Sequence, residues 1–414
     1  MKYMEEEIFL GKDFSVSSDM EKTGLNNNVL VVGSSGAGKT MSVAEARLIG
    51  TKNSSLIVSV SKRSLVDRYK KYFAVKGYRV YDINFANPDK SDVFFDPMKY
   101  VSSDADITYL ASSIVMADSQ KRNSRDYDPF WDNASESLLS SMIAYIRDTK
   151  SDPSFSDVCD FFEKLKIREK GDSVETSLDD TFDRIYRNKS DSFAMVCWKT
   201  FRYAPMRTAG SIYSVLHTSV DKIFSRSLKK AMRDKPSVDF KNIGNEKSVL
   251  FVTTSAVNPS LDAFSGMFWS QAVKTLFEYA ESCPGYVLPV PVHLLCDDFA
   301  SGSKVPNFSR YISIFREKNI SVSVFLQSES QLDDLYGKSE ARTIINNCDT
   351  YVYMGGTDLE TCKNIAEKTC VDFKDVMYMK IGDEIIFRRG MRPVLTQRYP
   401  ITENEDWKKI NCEY

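Results

Sequence analysis

Eight consecutive residues, Gly33-Ser34-Ser35-Gly36-Ala37-Gly38-Lys39-Thr40, combine the side-chain types needed to hold a phosphate chain. Glycines at 33, 36 and 38 let the backbone curl so that successive N–H groups turn towards phosphate oxygens, and a helix starting at Thr40 adds its positive end. Lys39 would reach the β and γ phosphates, and Thr40 would place its hydroxyl on magnesium, completing the pattern G-x-x-x-x-G-K-[ST]. Such short patterns also arise as chance glycine-rich turns beside a surface lysine. Here the apolar run Val29-Leu30-Val31-Val32 precedes the loop and a helical pattern from Thr40 to Ile49 follows it, which is the context the chemistry requires.

Phosphoryl chemistry at such a loop also needs a carboxylate at the end of a neighbouring strand to hold magnesium, and a second acid to activate water. Val292-His293-Leu294-Leu295-Cys296-Asp297-Asp298 supplies both positions, with Asp297 as the magnesium acid and Asp298 as the general base. The plainer alternative is a strand-end turn capped by two aspartates. Farther on, a helical pattern from Pro306 to Lys318 carries Arg316, and an apolar run from Ile320 to Leu326 delivers Gln327 at its tip. From the residues alone these two are a solvated cation and a surface amide. His217 and His293 have no partners at ligand spacing and are not metal candidates.

The elements that must position these groups alternate short β-rich runs with helical patterns, which predicts a mostly parallel sheet covered by helices. Strands are expected at 29–33, 55–60, 78–83, 247–253, 292–296, 320–326 and 349–354. A hairpin is expected at the sheet edge, from Glu384-Ile385-Ile386-Phe387 and Pro393-Val394-Leu395 around Arg388-Arg389-Gly390. Between about 101 and 240 the β signal fades into helical stretches such as Ser135 to Ile146 and Ala209 to Ile223. The expected organisation is therefore an α/β nucleotide-binding domain from 1–100 and 241–414, with 101–240 as an inserted all-α domain.

Bulk properties narrow the class. The 414 residues are 42% apolar and 27% charged, a composition that folds, and the net charge of -2 offers no global attraction to nucleic acid. Eight cysteines without a C-x-x-C pair match neither a zinc site nor a disulfide framework and read as reduced thiols. No apolar run approaches the roughly 18–20 residues of a membrane span, and Met1-Lys2-Tyr3-Met4-Glu5-Glu6-Glu7 is not a signal peptide.

In the order of its motifs the chain resembles the conjugal-transfer coupling ATPases of type IV secretion, the TraG/TraD family, within the wider FtsK/HerA group of DNA-pumping hexamers. The stretches that carry the likeness are Asn26-Asn27-Asn28 opening the phosphate loop, Asp128-Pro129-Phe130-Trp131, and Asp297-Asp298-Phe299-Ala300. They continue with Val305-Pro306-Asn307-Phe308, Arg316-Glu317-Lys318-Asn319-Ile320-Ser321, Gln327-Ser328-Glu329-Ser330-Gln331-Leu332, Tyr336-Gly337 and Asn346-Asn347-Cys348-Asp349. The likeness runs from about residue 24 to 400. It implies a RecA-like P-loop NTPase core that binds ATP and Mg2+. Gly33 to Thr40 would be the nucleotide residues and Thr40 with Asp297 the metal residues. Asp298 would be catalytic, Gln327 a phosphate sensor, and Arg316 an arginine finger across a subunit interface.

Three departures accompany it. The acidic pair of the family is usually Asp-Glu, whereas here it is Asp297-Asp298, which bears on hydrolysis more than on binding. After the second strand many relatives carry an Asp-Pro-Lys-Gly-like turn, and this chain reads Ser59-Val60-Ser61-Lys62-Arg63-Ser64. Relatives commonly begin with a transmembrane domain, whereas here about 28 residues precede the first strand, so either a member without a membrane segment or a shortened chain is expected.

The function implied by the resemblance is a DNA-translocating ATPase that recruits DNA or a relaxase–DNA conjugate and moves it towards a type IV secretion channel. It would act as a homo-oligomer, a hexamer, on the cytoplasmic side and peripheral to the membrane through a separate anchor. Two alternatives stand beside it: an ATP-dependent docking platform with little hydrolysis, and a general FtsK/HerA-type translocase. A cation-rich stretch from Arg184 to Lys235 could face DNA or an acidic partner, or simply be a solvated helix face. Lys62-Arg63 with Arg68 and Lys70-Lys71 reads as an exposed helix face, and Phe130 with Trp131 as a packed anchor of the insertion.

Overall fold

Runs such as Val29–Val32, Ser55–Val60 and Ile320–Leu326 are apolar or small at every position rather than alternately, the pattern of strands covered on both faces. In the computed structural model, which describes residues 6–60, 62–116, 128–170, 173–188, 191–254, 258–297, 299 and 304–413, these runs are fully buried strands. Numbered along the chain, the strands are β1 (Glu7–Gly11), β2 (Phe14–Ser17), β3 (Val29–Val32), β4 (Ser55–Val60), β5 (Arg79–Asn84), β6 (Ile167–Lys170) and β7 (Ser173–Thr176). After these come β8 (Ser248–Thr253), β9 (Val292–Cys296), β10 (Ile320–Leu326), β11 (Thr350–Tyr353), β12 (Asp383–Arg388) and β13 (Val394–Gln397). Each of the seven strands expected from apolar runs is present, displaced by no more than a residue at either end.

Nine strands form one sheet in the order β13-β12-β11-β3-β10-β9-β4-β8-β5. Every pair from β11 to β5 is parallel, and the expected C-terminal hairpin adds β12 and β13 as antiparallel edge strands. The order matters for chemistry. β10 lies between β3 and β9, with Leu326 beside Val32 and Val324 beside Cys296, so the C-terminal ends of these three strands share one edge. Parallel neighbours demand crossovers, and helices such as Arg63–Val75 supply them, burying Leu65, Val66, Tyr69, Tyr72 and Phe73. Side chains register the opposite edge: Asn28 Nδ2 and Asn26 Nδ2 donate to the Asn347 carbonyl at 2.9 and 3.0 Å, and Asn28 Oδ1 accepts from Val322 N at 3.1 Å.

The chain divides into two compact units. The sheet belongs to a unit of residues 1–86, 239–257 and 272–414, while residues 87–238 and 258–271 form the other. The second unit is built of helices that begin on polar caps, including Ser103 before Asp104–Val115, Asp128 before Pro129–Thr149 and Ser192 before Phe193–Arg202. Phe182 stacks on Trp198 at 4.1 Å and Phe155 on Phe224 at 4.3 Å in its core. It departs from the all-α expectation in one place. β6 and β7 pair as an antiparallel hairpin, and so few residues per strand, several of them charged, give no strand signal above a helical background.

Two further expectations change. Phe130 is 50% exposed at the first turn of its helix, so it is not a packed anchor; its ring meets Trp131 edge-on at 5.1 Å. The basic run after β4 is not a free face either. Arg63 Nη1 donates to Asp82 Oδ1 at 2.6 Å and Lys70 to Asp82 Oδ2 at 3.3 Å, neutralising a fully buried carboxylate, while Arg68 pairs with Glu45. Burying an unpaired Asp82 would be costly, and these cations answer that need. Among the described residues no helix is long and apolar enough to cross a membrane.

Candidate functional site

The Gly33–Thr40 loop leaves β3 and is clamped at once between its neighbours. Gly33 N donates to Leu326 O at the end of β10 (3.1 Å), and Ser34 N donates to Gly355 O just beyond β11 (2.9 Å). Gly33 must be glycine because a Cβ there would lie 2.9 Å from the Met354 Cβ. Gly36 and Gly38 have φ of +77° and +90°, the conformations that let the loop turn its N–H groups inward. Lys39 Nζ donates to the carbonyls of Gly33 (2.5 Å) and Ser34 (3.2 Å), so the ammonium is already held across the mouth of the loop.

The helix that follows opens with a wide turn, Thr40–Ala44, in which Glu45 N reaches back to Thr40 O, before continuing as Glu45–Gly50. Turns of this width recur at functional sites. Ser42 tightens the entry by donating both its N–H and its hydroxyl to Gly38 O at 2.9 Å.

Asp297 stands one residue past β9, and the Thr40 hydroxyl donates to it at 3.1 Å (Oδ2) and 3.4 Å (Oδ1). A hydroxyl and a carboxylate this close, opening onto a phosphate cradle, are the oxygen donors that Mg2+ accepts alongside water and phosphate. The donor set therefore fits the metal expected from the sequence. Asp298 lies outside the described residues. Gln327 follows Leu326, whose carbonyl receives Gly33 N; it is exposed, with its own N–H bonded to Gln331 Oε1 at 2.8 Å.

Arg316 is placed elsewhere. It sits on the short turn Phe315–Lys318 that precedes β10, exposed, with Nη2 3.5 Å from Met20 O. β10 is seven residues long, and at about 3.3 Å per residue it holds Arg316 roughly 20 Å from the edge where the loop lies. The fold thus gathers Gly33 to Thr40, Asp297 and Gln327, and keeps Arg316 apart from them.

Two parts of the site were not read from the sequence. Gly355 is signalled by its setting, because a Gly-Gly pair one residue beyond a strand marks close backbone approach. Arg398 carries no such signal. It follows β13, and its side chain lies so close to the loop that a Cβ on Gly38 would be 2.5 Å from its Nη1. Beneath the site His293 bridges β9 to β10 through Ser321 (2.8 Å) and Ser323 (2.9 Å); complete burial, with the Arg47 charge nearby, holds its pKa well below the usual value. It is a neutral packing group and not a ligand.

The basic stretch of the second unit is largely committed to its own unit. Lys229 pairs with Glu163, Lys230 with Asp89, Arg233 with Asp160 and Arg202 with Asp179. Arg184, Arg207 and Arg226 remain on the surface, and Lys189 lies outside the described residues.

Residues 3–371 match the family described as type IV secretory system conjugative DNA transfer. No curated protein sequence matches the chain. Among solved structures, the plasmid coupling protein TrwB in complex with ADP and Mg2+ superposes with a TM-score of 0.67 at 16% identity, over 90% of this chain and 84% of that one. TrwB in complex with the ATP analogue ADPNP gives 0.63 at 16% identity, over 90% and 85%. VirB4 of Thermoanaerobacter pseudethanolicus gives 0.53 at 13% identity, over 98% and 99%. At such identities these likenesses establish the shared P-loop NTPase fold alone.

Proposed function

The chain belongs to the type IV secretory system conjugative DNA transfer family, and on that premise we propose that it binds ATP with Mg2+ at Gly33–Thr40 and hydrolyses it to move DNA, or a relaxase–DNA conjugate, towards a secretion channel. The observation that carries the nucleotide reading is the contact of Thr40 with Asp297, which joins residues 257 positions apart at the mouth of a glycine-curled loop. That TrwB, of the same fold, has been captured with ADP and Mg2+ supports it.

In this reading the loop amides and Lys39 would hold the phosphates, and Thr40 and Asp297 would hold Mg2+, which would supply positive charge for phosphoryl transfer. Asp298 accepts the proton of the attacking water, and Gln327 follows the γ phosphate from the end of β10. Arg316, about 20 Å from its own loop by the length of β10, serves a neighbouring copy's site. A contact between opposite edges of identical subunits is head-to-tail, an interface that builds a ring where its rotation closes, and the resemblance to the DNA-pumping hexamers makes that ring a hexamer. The cytoplasmic face of the membrane completes the setting.

DNA-stimulated phosphate release, measured for the native chain and for Lys39→Ala, tests the motor. The expected result is turnover that rises with DNA and is lost in the variant. Tight ATP binding without turnover at any DNA concentration would instead leave an ATP-dependent docking platform, a reading favoured by one feature, the short Asp298 where Glu is usual.

A further inference from the structure

Among the described residues the C-terminal hairpin brings one strong cation to the phosphate loop that no motif accounts for. Arg398 follows β13, and its backbone is fixed from several sides: its N–H donates to Gly382 O (3.0 Å), Gln397 O accepts Lys12 N (2.7 Å), and Tyr399 stacks on Phe9 at 4.9 Å. From this anchored base the side chain lies along Gly38. A Cβ there would be 2.5 Å from Nη1 and 3.4 Å from Cδ and Cζ, so a side chain at Gly38 would displace the guanidinium from its place, while the positive φ favours glycine on its own account.

The guanidinium is not spent on the protein. Among the described residues none of its nitrogens has a hydrogen bond or ion-pair partner, and Nε is buried without one. A planar group with five donors retains most of its recognition capacity in that condition. The carboxyl that feels its charge is Glu384 on β12, fully buried, with neither oxygen hydrogen-bonded. Burial pushes its pKa up to about 8, so near neutrality it is largely protonated and leaves the arginine uncompensated. Arg398, Lys39 and the N-terminal end of the helix after the loop therefore concentrate positive charge at the Gly33–Thr40 loop, an arrangement that an anion stabilises.

We propose that Arg398 is a phosphate-binding residue of the same subunit's nucleotide site, donating from its guanidinium to the phosphate chain of a bound nucleoside di- or triphosphate. The assignment rests on the nucleotide reading above and adds a cation from the C-terminal edge hairpin. It gives that hairpin a functional reason to extend the sheet beside the loop.

Equilibrium binding of ATP, ADP and adenosine by the full chain, followed by calorimetry, tests it in the native protein, Arg398→Ala and Arg398→Lys. A charge-assisted contact to phosphate predicts ADP and ATP binding weakened about 10- to 100-fold in Arg398→Ala. Adenosine binding should stay unchanged, and Arg398→Lys should be intermediate because it keeps the charge and loses the fork. ADP and ATP affinities within twofold of native in Arg398→Ala would overturn the assignment, as would an equal loss for adenosine, which would place the contact on the nucleoside. A native chain that binds neither ADP nor ATP would overturn the nucleotide reading itself, and the assignment with it. Thermal melts without nucleotide separate a folding defect, and Arg398→Lys then decides the matter: native-like phosphate affinity in a folded lysine variant keeps a charge role, and affinity as low as the alanine variant restricts it to the guanidinium.

Discussion

Replacing Glu384 with glutamine should stabilise the sheet-bearing unit above neutral pH and leave it unchanged in mild acid. Glu384 is fully buried on β12, facing Gly11, where an added Cβ would lie 2.6 Å from its Oε1. Burial pushes its pKa from 4.5 up to about 8, and the Arg398 charge offsets only part of that. A carboxyl whose folded pKa exceeds its unfolded one makes the folded chain bind more protons between the two values. Its stabilising contribution is thus complete below about pH 4.5 and lost as pH rises through about 8. At about 1.4 kcal/mol per pH unit, the interval from pH 5 to pH 7.5 corresponds to about 3 kcal/mol. Glutamine resembles the protonated acid in shape and has no charge to lose, so the variant should show none of this slope. Urea unfolding, read by hydrogen exchange in a β12 peptide at pH 5 and at pH 8, gives the comparison. The native midpoint should fall between the two and the variant's should not. Equal slopes in both proteins would mean that Glu384 is not the titrating group, and the charge argument for Arg398 would lose its counterpart.

Two other substitutions separate roles within the site. Asp297→Asn keeps a partner for the Thr40 hydroxyl while removing the charge that faces the metal, so ATP affinity in Mg2+ should fall about tenfold towards the value in chelator; calorimetry with and without Mg2+ reads this, and an unchanged Mg2+ dependence would contradict the assignment. Arg316→Ala should leave ATP binding by an isolated chain within twofold of native, since β10 separates it from its own loop, and should lower turnover at least tenfold in the assembled protein. Weakened binding by monomers would place Arg316 at its own subunit's nucleotide instead.

The sheet was legible because a parallel strand covered on both faces has no polar side to disguise it. Ile320–Leu326 and Ser55–Val60 could be bounded to the residue for that reason. The phosphate loop was legible because its glycines have a backbone duty that few other residues can perform. Short antiparallel pairs were not. β1 and β2 hold five and four residues, and β6 and β7 four each, lengths at which alternation cannot be told from chance. Surface charge misled for a different reason. Arg63 and Lys70 read as a solvated face because the buried carboxylate they neutralise, Asp82, lies on the strand after their helix, and no spacing rule links the two.

The same limit explains why motif reading recovered only part of the site. Gly33 to Thr40 form a local pattern, and Asp297 and Gln327 follow apolar strands, so each carries its own context. Strand order, by contrast, depends on which edges pair. That β10 separates β3 from β9 decides that Leu326, with Gln327 next in the chain, meets Gly33, and that β12 and β13 extend the sheet beside β11 decides that Arg398 reaches Gly38. An arginine after an edge strand is ordinary in sequence, and only the pairing of distant strands makes it a neighbour of the Gly33–Thr40 loop. The residue most exposed to functional surprise is therefore the one whose position depends on the greatest number of non-local pairings. Arg398 lies two strands out from β11, itself the neighbour of the loop-bearing strand, and this is why its substitution tests the fold's contribution to the site more directly than any residue within the motifs.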